Sequence, residues 1–312
     1  MNIQDTRSGV TLVELIITLA IFSVMIAAAY SVFNGIIRHV TIERKDTKTE
    51  LDIISTVWPL MKEIQSAGFG TAPAGSCSPS LRLDGNALII HSTAAGDNKN
   101  AGKWSALDND CSIHGIANGE TVSIIKAGDR GYTGTGSITG NKVSPCNPEY
   151  HGNNTCIAFW VPSASLECYE TRYALRSYTS GTRPVICQQG TQKVSRSVST
   201  IAGSTNYQPI LDCVFGKDAQ GDPGMNVRFG CIDTEGSLNW RKDTNCGASD
   251  LRFVRIGMLV QGSTKTDIRG PAAITFFRDL GAPLTVTIDL SDEQRYFRWK
   301  KIEETIPLRN LV

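Results

Sequence analysis

One acidic residue, Glu14, stands inside an apolar segment near the start of the chain. From Val10 to Ile37 every other residue is apolar, small or an uncharged polar residue. As a helix this segment would be roughly 42 Å long, which exceeds the ~30 Å hydrocarbon core of a bilayer. A carboxylate at bilayer depth costs roughly 2.5–3.5 kcal/mol on insertion scales. We therefore expect that Glu14 has a specific chemical task, because an isolated charge would be costly there.

The other reactive side chains are nine cysteines, and all of them follow the apolar segment. No pair has the C-x₂₋₄-C spacing of a structural zinc site, and no C-x-x-C-H indicates haem attachment. Cysteines scattered through loop-like sequence are typical of disulfides formed in an oxidising compartment. The odd count leaves at least one thiol, and the sequence does not determine the pairing. The candidate disulfide cysteines are Cys77, Cys111, Cys146, Cys156, Cys168, Cys187, Cys213, Cys231 and Cys246.

Three interpretations of the apolar segment can be compared. A secretory signal peptide has a shorter apolar region followed by a cleavage site, and a plain signal anchor leaves Glu14 unexplained. The stretch "SGVTLVELIITLAIF" resembles the class III leader of type IV prepilins and type II secretion pseudopilins. The resemblance implies that a prepilin peptidase cuts after Gly9 and that Val10 becomes the N-methylated N-terminus. It also implies that Glu14 meets the amine of a neighbouring subunit during assembly.

Elementary electrostatics agrees with that role for Glu14. Cleavage before Val10 would create an ammonium group four residues before the carboxylate, and positions i and i+4 lie on one helix face. A buried charge is tolerated when it is paired and is costly when it is isolated. The carboxylate is thus predicted to set the register of assembly.

The resemblance implies four segments. Residues 1–9 would be the leader, 10–37 the transmembrane and filament-core helix, 38–68 an amphipathic stem helix, and 69–312 a periplasmic or extracellular β head. Pro59 is expected to kink or briefly interrupt the stem, and Gly68 and Gly70 to end it. The predicted apolar stripe that packs on the head is Leu51, Ile54, Trp58, Met61 and Ile64.

After Gly70 the sequence predicts strands, with Asp84-Gly85 as a hairpin turn. The expected fold class is α+β and pilin-like, with a long N-terminal helix packed on an antiparallel sheet that carries long, disulfide-tethered loops. Long loops are expected over residues 128–155 and 195–207, and "GTGSITG" is interpreted as a flexible loop. Besides "LRLDGNALIIH", the strand candidates are "TVSIIKA", "CIAFWVP", "LECYETRYALRSY", "PVICQQ", "LRFVRIGMLVQ", "PLTVTIDL" and "RYFRWKKIEETIPL".

The sequence offers little to catalysis or cofactor binding. It has no Walker loop, no G-x-S-x-G and no H-E-x-x-H, and a formal charge of +1 favours no nucleic-acid partner. The histidines, His39, His91, His114 and His151, are isolated. Oxygens near Asp108 and Asp110, or near Asp218 and Asp222, could reach calcium, but solvated turns are the favoured interpretation. We predict no cofactor, no metal and no enzymatic activity.

Both ends of the chain also resemble minor pilins of the PilW type, through "LMKEIQSAGFG", "LRFVRIGMLVQ" and "RYFRWKKIEETIPLRNLV". This implies a minor pilin that primes, caps or decorates a type IV pilus at its tip, with roles in twitching motility and cell adhesion. The implied partners are a prepilin peptidase, the major pilin, other minor pilins, a tip adhesin and the inner membrane. The alternatives are a type II secretion pseudopilin and a membrane-anchored periplasmic enzyme.

The expected topology is a single pass through the inner membrane, with the N-terminus cytoplasmic and the head periplasmic, or at the cell surface in an assembled pilus. Basic residues just after the apolar segment, Arg38, Arg44, Lys45 and Lys48, favour the opposite orientation by the positive-inside rule. That rule is weak for long translocated domains, and the cysteines favour export.

Overall fold

The chain forms two compact units in a computed structural model, Met1–Glu50 and Leu51–Val312. The leader residues, including Gly9, and Val10 lie outside the described residues. The structure describes residues 11–71, 77–95, 99–126, 132–146, 156–163, 168–200, 206–217, 221, 223–246, 250–262, 265 and 268–308.

One long helix, α1 (Leu12–Gln65), begins in the first unit and ends in the second. Within it, Leu12–Ile37 has a mean hydropathy of 2.5, and none of the 18-residue apolar window is buried. Hydroxyl groups inside the helix donate to carbonyl oxygens four residues earlier, which satisfies them without an outside partner. These hydroxyls belong to Thr18, Ser23, Thr41 and Thr47.

Helix α1 ends just before Gly68 and Gly70, as the sequence predicts. It runs without interruption through Pro59 and stops at Gln65, so the predicted interruption does not occur. Gly68 and Gly70 have φ angles of 77° and 69°, which suit glycine in the turn that follows. A Cβ on Gly70 would also lie 2.4 Å from Thr93 Oγ1. The predicted glycine stop is therefore confirmed.

The face that α1 packs on the second unit differs from the predicted stripe. Ile53, Leu60 and Ile64 are buried, whereas Leu51 and Ile54 are exposed. Trp58 is exposed too, and Met61 is only partly buried against the core. The stripe prediction is therefore correct for its last two members and wrong for Leu51, Ile54 and Trp58, because this stretch of helix has two apolar faces and the sheet covers only one.

The described residues of the second unit form sixteen strands and two short 3₁₀ helices, Arg278–Leu280 and Gln294–Tyr296. The strands are β1 (Leu81–Asp84), β2 (Ala87–Ser92), β3 (Trp104–Ala106), β4 (Thr121–Lys126), β5 (Tyr132–Thr139), β6 (Lys142–Ser144), β7 (Cys156–Val161), β8 (Tyr169–Arg176), β9 (Gln192–Thr200), β10 (Gln208–Val214), β11 (Met225–Ile232), β12 (Leu238–Arg241), β13 (Asp250–Gln261), β14 (Ala273–Phe276), β15 (Val286–Asp289) and β16 (Trp299–Pro307).

The strands pair antiparallel in three sheets. The largest has nine strands in the order β1-β2-β8-β9-β10-β13-β11-β12, with β16 also paired to β13. Side chains of α1 pack into one core with this sheet, and Thr56 donates from the helix to the carbonyl oxygen of Ile210 at 2.7 Å. A five-stranded sheet, β3-β7-β4-β5-β6, has its own core, and the β14–β15 hairpin packs a third core around Phe276 and Phe277.

The α+β class is confirmed: an apolar N-terminal helix is followed by a largely antiparallel β unit with disulfides. Three local predictions are wrong, wholly or in part. "GTGSITG" lies mostly in strand β5, where a Cβ on Gly136 would be 2.5 Å from Val143 Cγ1, so glycine permits close packing there. The residues of "PVICQQ" form turns and not a strand. Part of each expected long loop is also strand, in β5 and β6 and in β9.

Candidate functional site

The candidate assembly site begins at the first turn of α1. Thr11 precedes the helix, and the backbone N–H of Glu14 donates to Thr11 Oγ1 at 3.3 Å. This is the side-chain half of a capping box, in which a glutamate or glutamine stands three residues after the capping threonine. This bond uses the backbone of Glu14 and not its carboxylate, so the helix cap that the sequence interpretation missed is Thr11.

The side chains that surround Glu14 on the helix are apolar and exposed. Leu12, Val13 and Leu15 are 74%, 65% and 55% exposed, and Ile17 is 53% exposed. Exposed apolar surface of this extent is stable only in contact with lipid or with other apolar surfaces. This segment can therefore span a membrane or pack against other helices.

A second exposed apolar surface lies further along α1, within the second unit. We define the stem apolar surface as Leu51, Ile54 and Trp58, which are 61%, 62% and 61% exposed. Their three- and four-residue spacing places them on one side of the helix. Lys62 Nζ lies 5.6 Å from the centre of the Trp58 ring and adds a cation at the end of this surface.

The opposite face of the same helix stretch is fixed to the large sheet by a polar cluster. Tyr173 donates its hydroxyl hydrogen to Glu63 Oε2 at 2.6 Å, and Arg196 forms an ion pair with the same carboxylate. Burial, followed by the nearby Glu63 charge, raises the pKa of Tyr173, and Tyr173 therefore stays protonated as a donor. This cluster fixes which face of the helix remains exposed.

A second buried cluster joins β2 to β8. His91 Nδ1 lies 3.0 Å from the carbonyl oxygens of Cys77 and Pro79, and its Nε2 lies 3.1 Å from Glu170 Oε2. Arg172 also donates to Glu170. Burial raises the pKa of Glu170, but the hydrogen bonds from Arg172 and His91 outweigh it, so the net shift is downward. His91 is thus a core histidine of a structural cluster.

Eight cysteines form four disulfides, and the ninth, Cys156, is buried and keeps its thiol. All nine were candidates, and the presence of disulfides is confirmed. The pairs are Cys77–Cys168, Cys111–Cys146, Cys187–Cys213 and Cys231–Cys246.

The turns considered for calcium show no such site among the residues that the structure describes. Asp110 forms an ion pair with Lys142 at 2.9 Å, and hydrogen bonds from Lys142 and Ser112 lower the pKa of Asp110. Within the described ranges no three histidine, cysteine or acidic side chains come together as metal ligands. His151, Asp218 and Asp222, and the side chain of His39, lie outside the described residues.

A polar cavity of about 430 Å³ opens between the loop after β8 and the start of β9. Its lining has one cation, Arg183, and hydroxyl groups such as those of Tyr178 and Thr191, but no histidine, cysteine or carboxylate.

The comparisons with known proteins agree with the N-terminal geometry. The prokaryotic N-terminal methylation motif matches residues 5–30, which include Gly9, Val10 and Glu14. No curated protein and no solved structure matches the chain. The motif implies processing by a prepilin peptidase and assembly with other pilins. The one helix of membrane-spanning length among the described residues is consistent with single-pass anchoring in the inner membrane. The motif supports a type IV pilin-like or pseudopilin-like protein.

Proposed function

We propose that this protein is a minor pilin of the PilW type, which assembles into or primes a bacterial type IV pilus, at its tip. The apolar part of α1 polymerises with the helices of other pilins, and the β unit contacts neighbouring minor pilins, the major pilin or a tip adhesin. The role is structural and not enzymatic. The N-terminus is cytoplasmic before assembly and the β unit is periplasmic.

The observation that carries this proposal is the exposed apolar segment Leu12–Ile37 of α1, which has one carboxylate in its first turn. A simple membrane anchor needs the apolar length but not Glu14. After cleavage between Gly9 and Val10, the new ammonium group and the Glu14 carboxylate can neutralise each other, within one chain in the membrane or between chains in a filament.

The variant that tests the charge of Glu14 should leave the Thr11 helix cap intact. Glutamine also serves at this position of a capping box, so Glu14→Gln keeps the cap and removes the charge. Glu43→Gln is the matched control, because Glu43 is an exposed glutamate on the same helix.

The experiment complements a deletion strain with wild type, Glu14→Gln or Glu43→Gln. Wild type and Glu43→Gln should restore surface pili and twitching, with Val10 found at the mature N-terminus by sequencing. Glu14→Gln should be cleaved at Val10 but remain in the membrane fraction, without pili. Normal pili with Glu14→Gln would overturn the role of the charge. Loss of protein export, and not of pili, on deletion would identify a type II secretion pseudopilin.

A further inference from the structure

The disulfides of the second unit do not follow the order of the cysteines along the chain. Cys77 pairs with Cys168 across a sequence separation of 91 residues, the longest of the four. This loop encloses the whole Cys111–Cys146 disulfide and the thiol of Cys156. Three other cysteines therefore lie between Cys77 and its partner.

Such nesting is not what early oxidation would produce. Chains emerge from their N-terminal end, so an oxidant that acts during emergence meets the cysteines in chain order. Pairing in chain order would leave Cys246 as the thiol. It would form the bonds Cys77–Cys111, Cys146–Cys156, Cys168–Cys187 and Cys213–Cys231.

The chain-order pattern and the native pattern each contain four disulfides and one thiol. They differ only in where the bonds and the thiol lie, so no oxidant or reductant is consumed in the conversion. We propose that the chain converts one pattern into the other by internal thiol–disulfide exchange, which moves the odd thiol from Cys246 to Cys156. The ninth cysteine then has a role in oxidative folding.

The first exchanges act on the C-terminal half. The Cys246 thiolate attacks Cys231, which forms the native Cys231–Cys246 bond and releases the Cys213 thiolate. Cys213 attacks Cys187, which forms Cys187–Cys213 and releases the Cys168 thiolate. Each step breaks one S–S bond and forms another, and the displaced sulfur carries the electron pair.

The next exchanges create the nested pair. The Cys168 thiolate attacks Cys77, which forms Cys77–Cys168 and releases the Cys111 thiolate. Cys111 attacks Cys146, which forms Cys111–Cys146 and releases Cys156. Four exchanges thus produce all four native disulfides and leave the thiol where the structure has it.

The structure explains why the exchange ends at Cys156. This residue begins β7, between β3 and β4, and it is fully buried in the same core as Cys111. Its carbonyl oxygen accepts a hydrogen bond from the backbone N–H of Leu107 at 2.9 Å. Cys156 has 0% of its surface exposed, so other disulfides cannot reach its sulfur, and buried structural cysteines are inert in exchange. Formation of the five-stranded sheet therefore removes the last thiol from exchange.

The test synthesises the full-length chain in a cell-free system with detergent and a dithiol oxidase but no small thiol, so that the cysteines meet the oxidant in chain order. Disulfides are mapped over time by mass spectrometry of alkylated, non-reduced peptides. Wild type should reach Cys77–Cys168. In Cys156→Ala no thiol remains once eight cysteines have paired, so most of the Cys77–Cys168 bond should be lost and should return when reduced glutathione is added.

A matched background separates exchange from a packing effect of the substitution. In Cys77→Ala/Cys168→Ala the remaining native pairs follow chain order once Cys156 is removed, so adding Cys156→Ala should leave their yield unchanged. If Cys156→Ala lowered the yield of native disulfides equally in the wild-type background and in the Cys77→Ala/Cys168→Ala background, the proposal would be overturned. It would also be overturned if Cys156→Ala formed the Cys77–Cys168 bond as fast as wild type, or if wild type failed to form it without glutathione. The assay needs no membrane or pilus, so its outcome is independent of the proposed function.

Discussion

Two stretches of helix α1 are both rich in apolar side chains but differ in where those side chains lie. In the first unit, Leu12–Ile37 is exposed around the whole helix. In the second unit, the last turns bury one face, with Leu60 at 1% and Ile64 at 0% exposed, and leave the stem apolar surface open.

The two stretches differ in where their apolar side chains can be buried. The buried face of the second stretch finds its partners inside its own unit, in the core of the nine-stranded sheet. The first stretch has no core to join among the described residues of its unit, so its burial must come from lipid or from other chains. The stem apolar surface is exposed like the first stretch, although it lies in the second unit.

The largest effect should separate the two faces of the second stretch. Leu60→Asp would bury a charge in the core, at a cost comparable to the ~5–15 kcal/mol stability of a typical domain, so the second unit should not fold. Ile54→Asp should leave the unit folded, because Ile54 is 62% exposed. Protease resistance in detergent and the presence of native disulfides measure both. If the two variants behaved alike, the assignment of the faces would be wrong.

The fold was predictable where the signal is local. The apolar helix, its glycine stop and the hairpin with Asp84-Gly85 at its turn all follow from short stretches, and the structure has them. The packing face of α1 was not predictable, since Ile54 and Leu60 have equally apolar side chains. Only the position of the sheet decides which of them is buried.

Long-range contacts explain the other differences between prediction and structure. The β-branched residues Val185 and Ile186 resemble a strand, yet they lie in a turn beside the Cys187–Cys213 disulfide. The side-chain amide of Gln261 donates to the carbonyl oxygen of Ile186 and accepts from the backbone N–H of Gln188, both at 2.8 Å. No local sequence pattern predicts a hydrogen-bond partner more than seventy residues away. The nested cysteine pairing is hidden for the same reason.

An intermediate effect is expected at Glu170, which lies on strand β8 of the second unit. Because its pKa is below the usual 4.5, the folded state binds this proton more weakly than the unfolded state. Its contribution is complete above pH 4.5 and is lost as the pH falls through the folded pKa. Glu170→Gln should cost about 3 kcal/mol at neutral pH, since it leaves His91 and Arg172 without the carboxylate, and Arg82 Nη2 at 3.5 Å loses a weaker contact.

The measurement is the urea midpoint of wild type and variant between neutral pH and pH 3. The two midpoints should converge as the pH falls, because wild type loses what the variant already lacks. Glu235→Gln, at an exposed position, should track wild type throughout. A wild-type advantage that grew on acidification would contradict the downward pKa shift.

The smallest effect on folding should come from a substitution in the stem apolar surface. This substitution tests most directly whether that surface is covered in the same way as the first stretch of α1. Trp58→Ala should change the stability of the second unit by well under 1 kcal/mol, because substitutions at exposed positions rarely do more. If this surface is covered only in the assembled filament, the same variant should be processed and folded normally but recovered less often in sheared pili than wild type. Lys62→Ala is the control, since it removes the neighbouring cation and keeps the Trp58 ring. Equal recovery of Trp58→Ala and wild type would mean that the surface faces water in the filament, and that assembly depends on the first stretch alone.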